Sequence, residues 1–364
     1  MSPQEDLVNV ELEATPAEAS DLLEVEDARG LERLGWDAGF WTVLDDVPVE
    51  RGIALVGHER GAAPTEGWEL RHVRAKPDGK KGSTDDAEAC ARHDGFVYVF
   101  GSHFGSKEGP LERERSFVAR FEESELERPA RGKKVRLEVV RESFLLHRIL
   151  NDALTEFGPE LLELDEEVER RFVGDVRKRA DKKDKPWAKR IHRGDRPLNI
   201  EGAAFRPGGS LLLGLRFPVT SAGEPLIAEI EGIADLFHGR PHRLRVRAVW
   251  VLEGVGSRDA PEGVRALRLL DSELHAVTGS LDSVDKDSLL LANHPEGAQA
   301  HCDHRSVKLP RAPARDRAGT RWLASRVIRS FPRLRNVEGL GVLPGGGFAY
   351  VTDEEECIEL RLAP

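Results

Sequence analysis

The chain has little cysteine and no close pair of them. Cys90, Cys302 and Cys357 are far apart, and no CxxC occurs. Neither a disulfide framework nor a thiolate zinc site is signalled. There is no apolar run near the ~18 residues that a membrane span needs. The start, Met1-Ser2-Pro3-Gln4-Glu5-Asp6, has neither a basic nor an apolar region, so no secretory leader is read. The expectation is a cytoplasmic protein in a reducing environment, with no membrane partner. The GxGxxG, P-loop, HExxH and GxSxG motifs are also missing, which leaves dinucleotide binding, P-loop phosphate binding, zinc-protease and serine-hydrolase readings without support. Net positive charge is absent too. Asp and Glu number 65 against 54 Lys and Arg, a formal charge of -11, and such a field repels nucleic acid.

What the sequence does contain is a repeat. Asn199-Ile200-Glu201-Gly202 is followed by Pro207-Gly208-Gly209 and the apolar run Leu211–Leu215. Asn336-Val337-Glu338-Gly339 is followed by Pro344-Gly345-Gly346 and Phe348–Val351. Asp86-Ala87-Glu88-Ala89 precedes Asp94-Gly95 and Phe96–Phe100. A weaker copy runs from Asp27-Ala28-Arg29-Gly30 to Phe40–Leu44. Each reads as two strands joined by a Gly-containing turn. A polar residue closes each unit. Glu88 to His103, Glu201 to Arg216 and Glu338 to Asp353 are each 15 residues apart, and Arg29 to Asp45 is 16.

Strands this apolar must be covered on both faces. Sheets repeated around an axis achieve that, so the expected fold is an all-β propeller of about six blades of ~40–50 residues, in one domain over residues 1–364. A two-sheet sandwich is the other arrangement. Degenerate blades are expected around Val135–Val140, Ile233–Leu236, Leu244–Leu252 and Val264–Thr278. After Asn336 the chain offers only three strands. The alternating segment Leu7–Glu13 is expected to pair with the last blade and close the ring.

Residues 143–195 break the pattern as an insertion. Ser143–Phe172 has helical apolar spacing, interrupted at Gly158-Pro159. Asp175–Arg193 is rich in Lys and Arg and reads as a mobile basic surface loop, with phosphate binding as a lesser reading. Residues Ala298–Arg317 read as irregular. Within them His301 and His304 would share a face only if helical.

Glu201-Gly202 with Leu211–Arg216, and Tyr98-Val99-Phe100-Gly101-Ser102-His103, resemble a bacterial family known as domain-of-unknown-function family 3616. More distantly the sequence resembles the esterase-like phytase and gluconolactonase-like propellers, whose blades begin with Glu-Gly. The resemblance implies a propeller. It also implies that Glu88, Glu201 and Glu338 stand where metal-dependent propellers place cation ligands, whereas Arg29 departs from that pattern. Such glutamates would converge from three blades and recruit Ca²⁺ or Mg²⁺. The ion could polarise a phosphoryl or ester oxygen. Arg29 and Arg216 would bind a small anionic substrate, and His103 or Asp353 would move protons. The alternative is a non-catalytic scaffold, with the glutamates accepting backbone N–H groups and a protein partner held at the rim.

Overall fold

The structure is a computed structural model. It describes residues 7–13, 15, 18–45, 47–78, 83–282, 287–311, 317–353 and 357–364, with only the backbone of Glu127, Ala130 and Asp353. Residues 1–364, expected as one domain, divide into two compact units. The first comprises Met1–Gly101, Val118–Val140 and Asn336–Pro364, and the second Ser102–Phe117 and Arg141–Arg335. Among the described residues the strands form five sheets, three in the first unit and two in the second, where about six blades were expected.

In the first unit, β1 (Val8–Leu12) pairs antiparallel with β22 (Ile358–Ala363), Val8 opposite Leu362 and Leu12 opposite Ile358. The N-terminal strand therefore does join the last hairpin. That sheet continues through β21 (Phe348–Asp353) to β20 (Val337–Val342). A second sheet is the antiparallel series β2 (Ala19–Glu24), β3 (Trp36–Leu44), β4 (Ile53–Glu59) and β5 (Trp68–His72). The third consists of β7 (Ala87–His93), β8 (Phe96–Gly101), β9 (Val118–Glu122) and β10 (Val135–Val140), with β6 (Ala75–Asp78) added parallel to β10.

In the second unit, β11 (Asn199–Phe205), β12 (Leu211–Phe217), β13 (Leu226–Glu231) and β14 (Arg245–Glu253) run antiparallel, and β18 (Gly319–Ala324) lies parallel to β14. The other sheet is β15 (Gly263–Leu270), β16 (Glu273–Gly279), β17 (Cys302–Lys308) and β19 (Arg326–Phe331).

Local sequence explains the hairpins. Asp94 and Gly95, between β7 and β8, have φ of 49° and 75°, the left-handed pair that a tight two-residue turn demands. Leu211–Leu215 is buried on both faces, as its unbroken apolar run requires. Within the first unit β2 packs against both β20 and β7, and within the second β11 and β12 pack against β15. Leu22, Phe40, Val56, Val351 and Leu360 fill one such interface, and Leu212, Trp250, Val264 and Leu267 the other.

Several expectations need correction. Val135–Val140 and Leu244–Leu252 are fourth strands of existing sheets and not separate blades, whereas Val264–Thr278 is a true hairpin. Ile233–His238 is a 3₁₀ turn bracketed by left-handed Gly232 and Gly239. The helix Leu145–Phe157 ends at left-handed Gly158, as the Gly-Pro break suggests. The basic stretch is ordered as a helix, Asp175–Lys182, because Val176 and Ala180 bury one face, and a 3₁₀ turn, Pro186–Arg190, follows it. Cys302–Lys308 is a strand and not a helix, with His304 fully buried in it and His301 exposed just before it, so the helical spacing that would set the two on one face is absent. Among the described residues no helix is long and apolar enough to cross a membrane.

Candidate functional site

The recurring Glu-Gly is a β-bulge. The register of β7 against β8 shifts between Ala87 and Ala89, leaving Glu88 as the extra residue. Equivalent shifts flank Glu201 in β11 and Glu338 in β20. The same device occurs where the letters differ, at Asp21-Leu22 in β2 and at Arg265 in β15. Each sheet therefore opens on a bulge that re-aims one polar side chain. The glycine that follows allows close approach of a neighbouring sheet. A Cβ on Gly202 would lie 2.8 Å from Leu267 Cγ, and one on Gly339 would lie 2.8 Å from the Asp21 carbonyl carbon.

One bulge carries an acidic group of three. Asp45 follows β3, Asp86 precedes β7, and Glu88 is the β7 bulge. One carboxylate oxygen from each lies within 4.8 Å of the others. Asp86 is buried in left-handed backbone with φ of 62°, and the other two are half-buried. Ser20 Oγ donates to Glu88 Oε2 at 2.8 Å, which fixes that carboxylate. At an effective dielectric constant of about 20, two charges at this separation repel by about 3 kcal/mol. A hard cation relieves that repulsion, and an all-oxygen set suits Ca²⁺ or Mg²⁺. The sequence pointed to Glu88 but not to its partners. The available signal was position, since Asp45 ends a second strand as His103, Arg216 and Asp353 do.

The other repeat positions do not assemble this way. Glu338, in the bulge of β20, is not a member of the acidic group among the described residues. In the second unit, Glu201 Oε1 accepts from Arg216 Nη1 at 2.7 Å and from Asn199 Nδ2 at 3.1 Å. Arg265 Nε lies 3.3 Å from Oε2, an ion pair without hydrogen-bond alignment. Glu201 and Arg265 are almost fully buried. Two guanidinium groups thus stand against the Glu201 carboxylate, which is their ion-pair partner. Arg216, which is half-buried, also donates to the Ser280 carbonyl at 3.1 Å.

His103 is also structural. It is 0% exposed, in left-handed backbone, with Nε2 2.7 Å from Glu142 Oε1. Glu142 further accepts from Ser116 Oγ at 2.5 Å and from the Leu145 and Leu146 N–H groups. Burial raises the Glu142 carboxyl, but the hydrogen bond and charge of His103, with Ser116 and the Leu146 N–H, outweigh it and hold the group below the ordinary carboxylate range. The imidazole is thus enclosed and held by Glu142. Arg29 is exposed on the helix Ala28–Leu34, whose N-terminus Asp27 caps by accepting from the Gly30 N–H at 3.1 Å. It is a helix-surface residue and does not stand at a strand start. The Asp353 side chain lies outside the described residues.

The sequence matches no protein-family model and no curated protein. Solved structures similar to it include a mannose phosphorylase from Leishmania mexicana in complex with phosphate ion, at 9% identity and a TM-score of 0.42, covering 97% of this chain and 86% of that one. A putative oxidoreductase (glucose dehydrogenase) from Thermus thermophilus is similar at 14% identity and a TM-score of 0.36, covering 98% and 99%. The WD40 propeller domain of Doa1 is similar at 8% and 0.35, covering 98% and 97%.

Proposed function

We propose that this chain is a β-propeller protein that binds Ca²⁺ or Mg²⁺ through Asp45, Asp86 and Glu88, and that it hydrolyses a phosphate ester or lactone there. The observation that carries the reading is the approach of three carboxylate oxygens to within 4.8 Å of one another. The blade reading is supported by sheets that each open on a bulged strand packed against a neighbouring sheet. Bound at this trio, the ion supplies a Lewis acid for a phosphoryl or carbonyl oxygen and lowers the pKa of a coordinated water. The chain's own residues hold the geometry. Ser20 anchors Glu88, and the left-handed Asp86 backbone sets the angle of the middle carboxylate. The partial exposure of Asp45 and Glu88 leaves the ion reachable by a small anionic molecule.

The scaffold reading is favoured by a different observation, the absorption of Glu201 and His103 into buried ion pairs. Calorimetric titration of wild type and Asp86→Asn with Ca²⁺ and Mg²⁺, followed by a hydrolysis panel of phosphate esters and lactones, separates the two. Saturable binding and cation-dependent turnover, both lost in Asp86→Asn, support the hydrolase. Binding without turnover on any substrate leaves a structural ion in a scaffold. Absence of binding in wild type rejects the cation site.

A further inference from the structure

Independently of the acidic trio, the second unit contains a basic cavity of about 400 Å³, within the range of small-molecule sites. One wall is the segment Pro110–Glu114. The opposite wall is the end of the helix Asp175–Lys182 with the turn that follows. The Leu111 N–H donates to the Phe172 carbonyl at 3.1 Å and ties the walls together. Phe172 belongs to the π-helical turn Arg170–Gly174, which leads directly into the helix. Such turns recur where a side-chain row must be re-aimed at a functional site.

The charge at this cavity is unbalanced. Its two acids already have partners, since Glu114 accepts from Arg113 at 3.0 Å and Glu112 pairs with Arg115 at 3.4 Å. Arg179, Lys183 and Lys185 have no ion-pair partner among the described residues. Arg179 and Lys183 stand four residues apart at the helix end, a spacing at which like charges repel. They do so in a chain whose net charge is -11. Beside them lies the half-buried Trp187, its ring 5.2 Å from that of the fully buried Phe144. The Trp187 side chain lines the cavity and packs against Phe144.

We propose that this cavity binds a phosphorylated ring compound of nucleotide size, with its phosphates on Arg179, Lys183 and Lys185 and its ring against Trp187. These three exposed cations, without ion-pair partners among the described residues, offer a multiply charged anion charge-assisted hydrogen bonds. The indole offers a stacking surface for a planar ring.

The test is calorimetric titration of the full chain with ATP and, separately, with inorganic tripolyphosphate. EDTA is present, so the fate of the cation reading does not affect the outcome. The expected result is saturable one-to-one binding of ATP, tighter than that of tripolyphosphate. Arg179→Glu with Lys183→Glu should weaken ATP at least ~tenfold. The same charge change at Lys178 and Lys182, on the same helix but outside the cavity, alters only the surrounding field and should weaken ATP clearly less. Trp187→Ala should weaken ATP while leaving tripolyphosphate unchanged. No saturable ATP binding overturns the proposal. Equal losses in the two double variants overturn it as well, as does tripolyphosphate binding as tightly as ATP.

Discussion

Acidification should destabilise this protein well before its carboxylates protonate, because of one pair of histidines. His304 on β17 is 0% exposed, and its Nε2 lies 2.9 Å from His275 Nδ1 on β16. Burial, with the neighbouring His275 and Arg329, pushes the His304 ring down to about 3 from its ordinary 6.5, and burial lowers His275 too. A neutral ring in the folded state and a protonated one in the unfolded state means that unfolding takes up a proton. The contribution is fully present above pH 6.5 and is lost progressively as pH falls toward 3. For His304 alone this amounts to about 2 kcal/mol between pH 7 and pH 5. The carboxylates Glu142 and Asp195 are held below their ordinary values and lose their contributions at lower pH. His58, which burial lowers but hydrogen bonds to the Ala63 carbonyl and to Asp37 raise on balance, has the opposite sign, as does Glu262, raised by burial; both are common to wild type and variant. Urea unfolding at pH 7 and pH 5, on wild type and His304→Gln, reads the difference directly. The variant should lose about 2 kcal/mol less than wild type over this interval, whatever its absolute stability. Identical slopes would refute the argument that this ring is neutral in the fold.

Other consequences are equally direct. Glu142→Ala strands His103 and two backbone N–H groups, and should lower stability by about 3–5 kcal/mol in chemical unfolding; a loss below about 1 kcal/mol would contradict the buried pair. Gly202→Ala forces a methyl to within 2.8 Å of Leu267 Cγ and should cost about 1–3 kcal/mol, whereas Gly208→Ala, with nothing within 4 Å, should not. If Asp45, Asp86 and Glu88 hold an ion, Ca²⁺ or Mg²⁺ at about 100 times its dissociation constant should stabilise the wild type by about 2.7 kcal/mol. Glu88→Gln should reduce that increment in thermal denaturation, and an undiminished increment would move the ion elsewhere.

The elements most legible in the sequence were those that local chemistry determines. The alternation of Leu7–Glu13 marked β1, and the Gly turns after Glu88, Glu201 and Glu338 marked their hairpins. The repeat that marks the bulge was visible only where it carried a Glu followed by Gly or Ala. Asp21 and Arg265 occupy the same backbone device with other letters, because a bulge constrains conformation and packing more than side-chain identity. The charge run at Asp175–Lys182 hid a helix, since the two residues that anchor it, Val176 and Ala180, are few among many lysines and arginines. Ile233–Leu236 read as part of a degenerate blade because three apolar residues around Asp235 carry no decisive period, and the flanking glycines decided it. Nothing local could bring Asp45 to Asp86, because that meeting is made by the packing of β3 and β2 against β7. The charge partners of Glu201 were equally hidden. Arg216 was noted for its spacing alone, and Arg265 comes from a different hairpin.

The pairing of β1 with β22 also has a consequence in time. Val8 and its partner Leu362 lie 354 residues apart (362 − 8), so during synthesis β1 waits roughly twenty seconds to a minute for β22 at usual ribosomal rates. Throughout that interval its Val8, Val10 and Leu12 side chains and its open backbone are available to other molecules. A protein built in this way depends, before it is ever folded, on whatever shields a nascent edge.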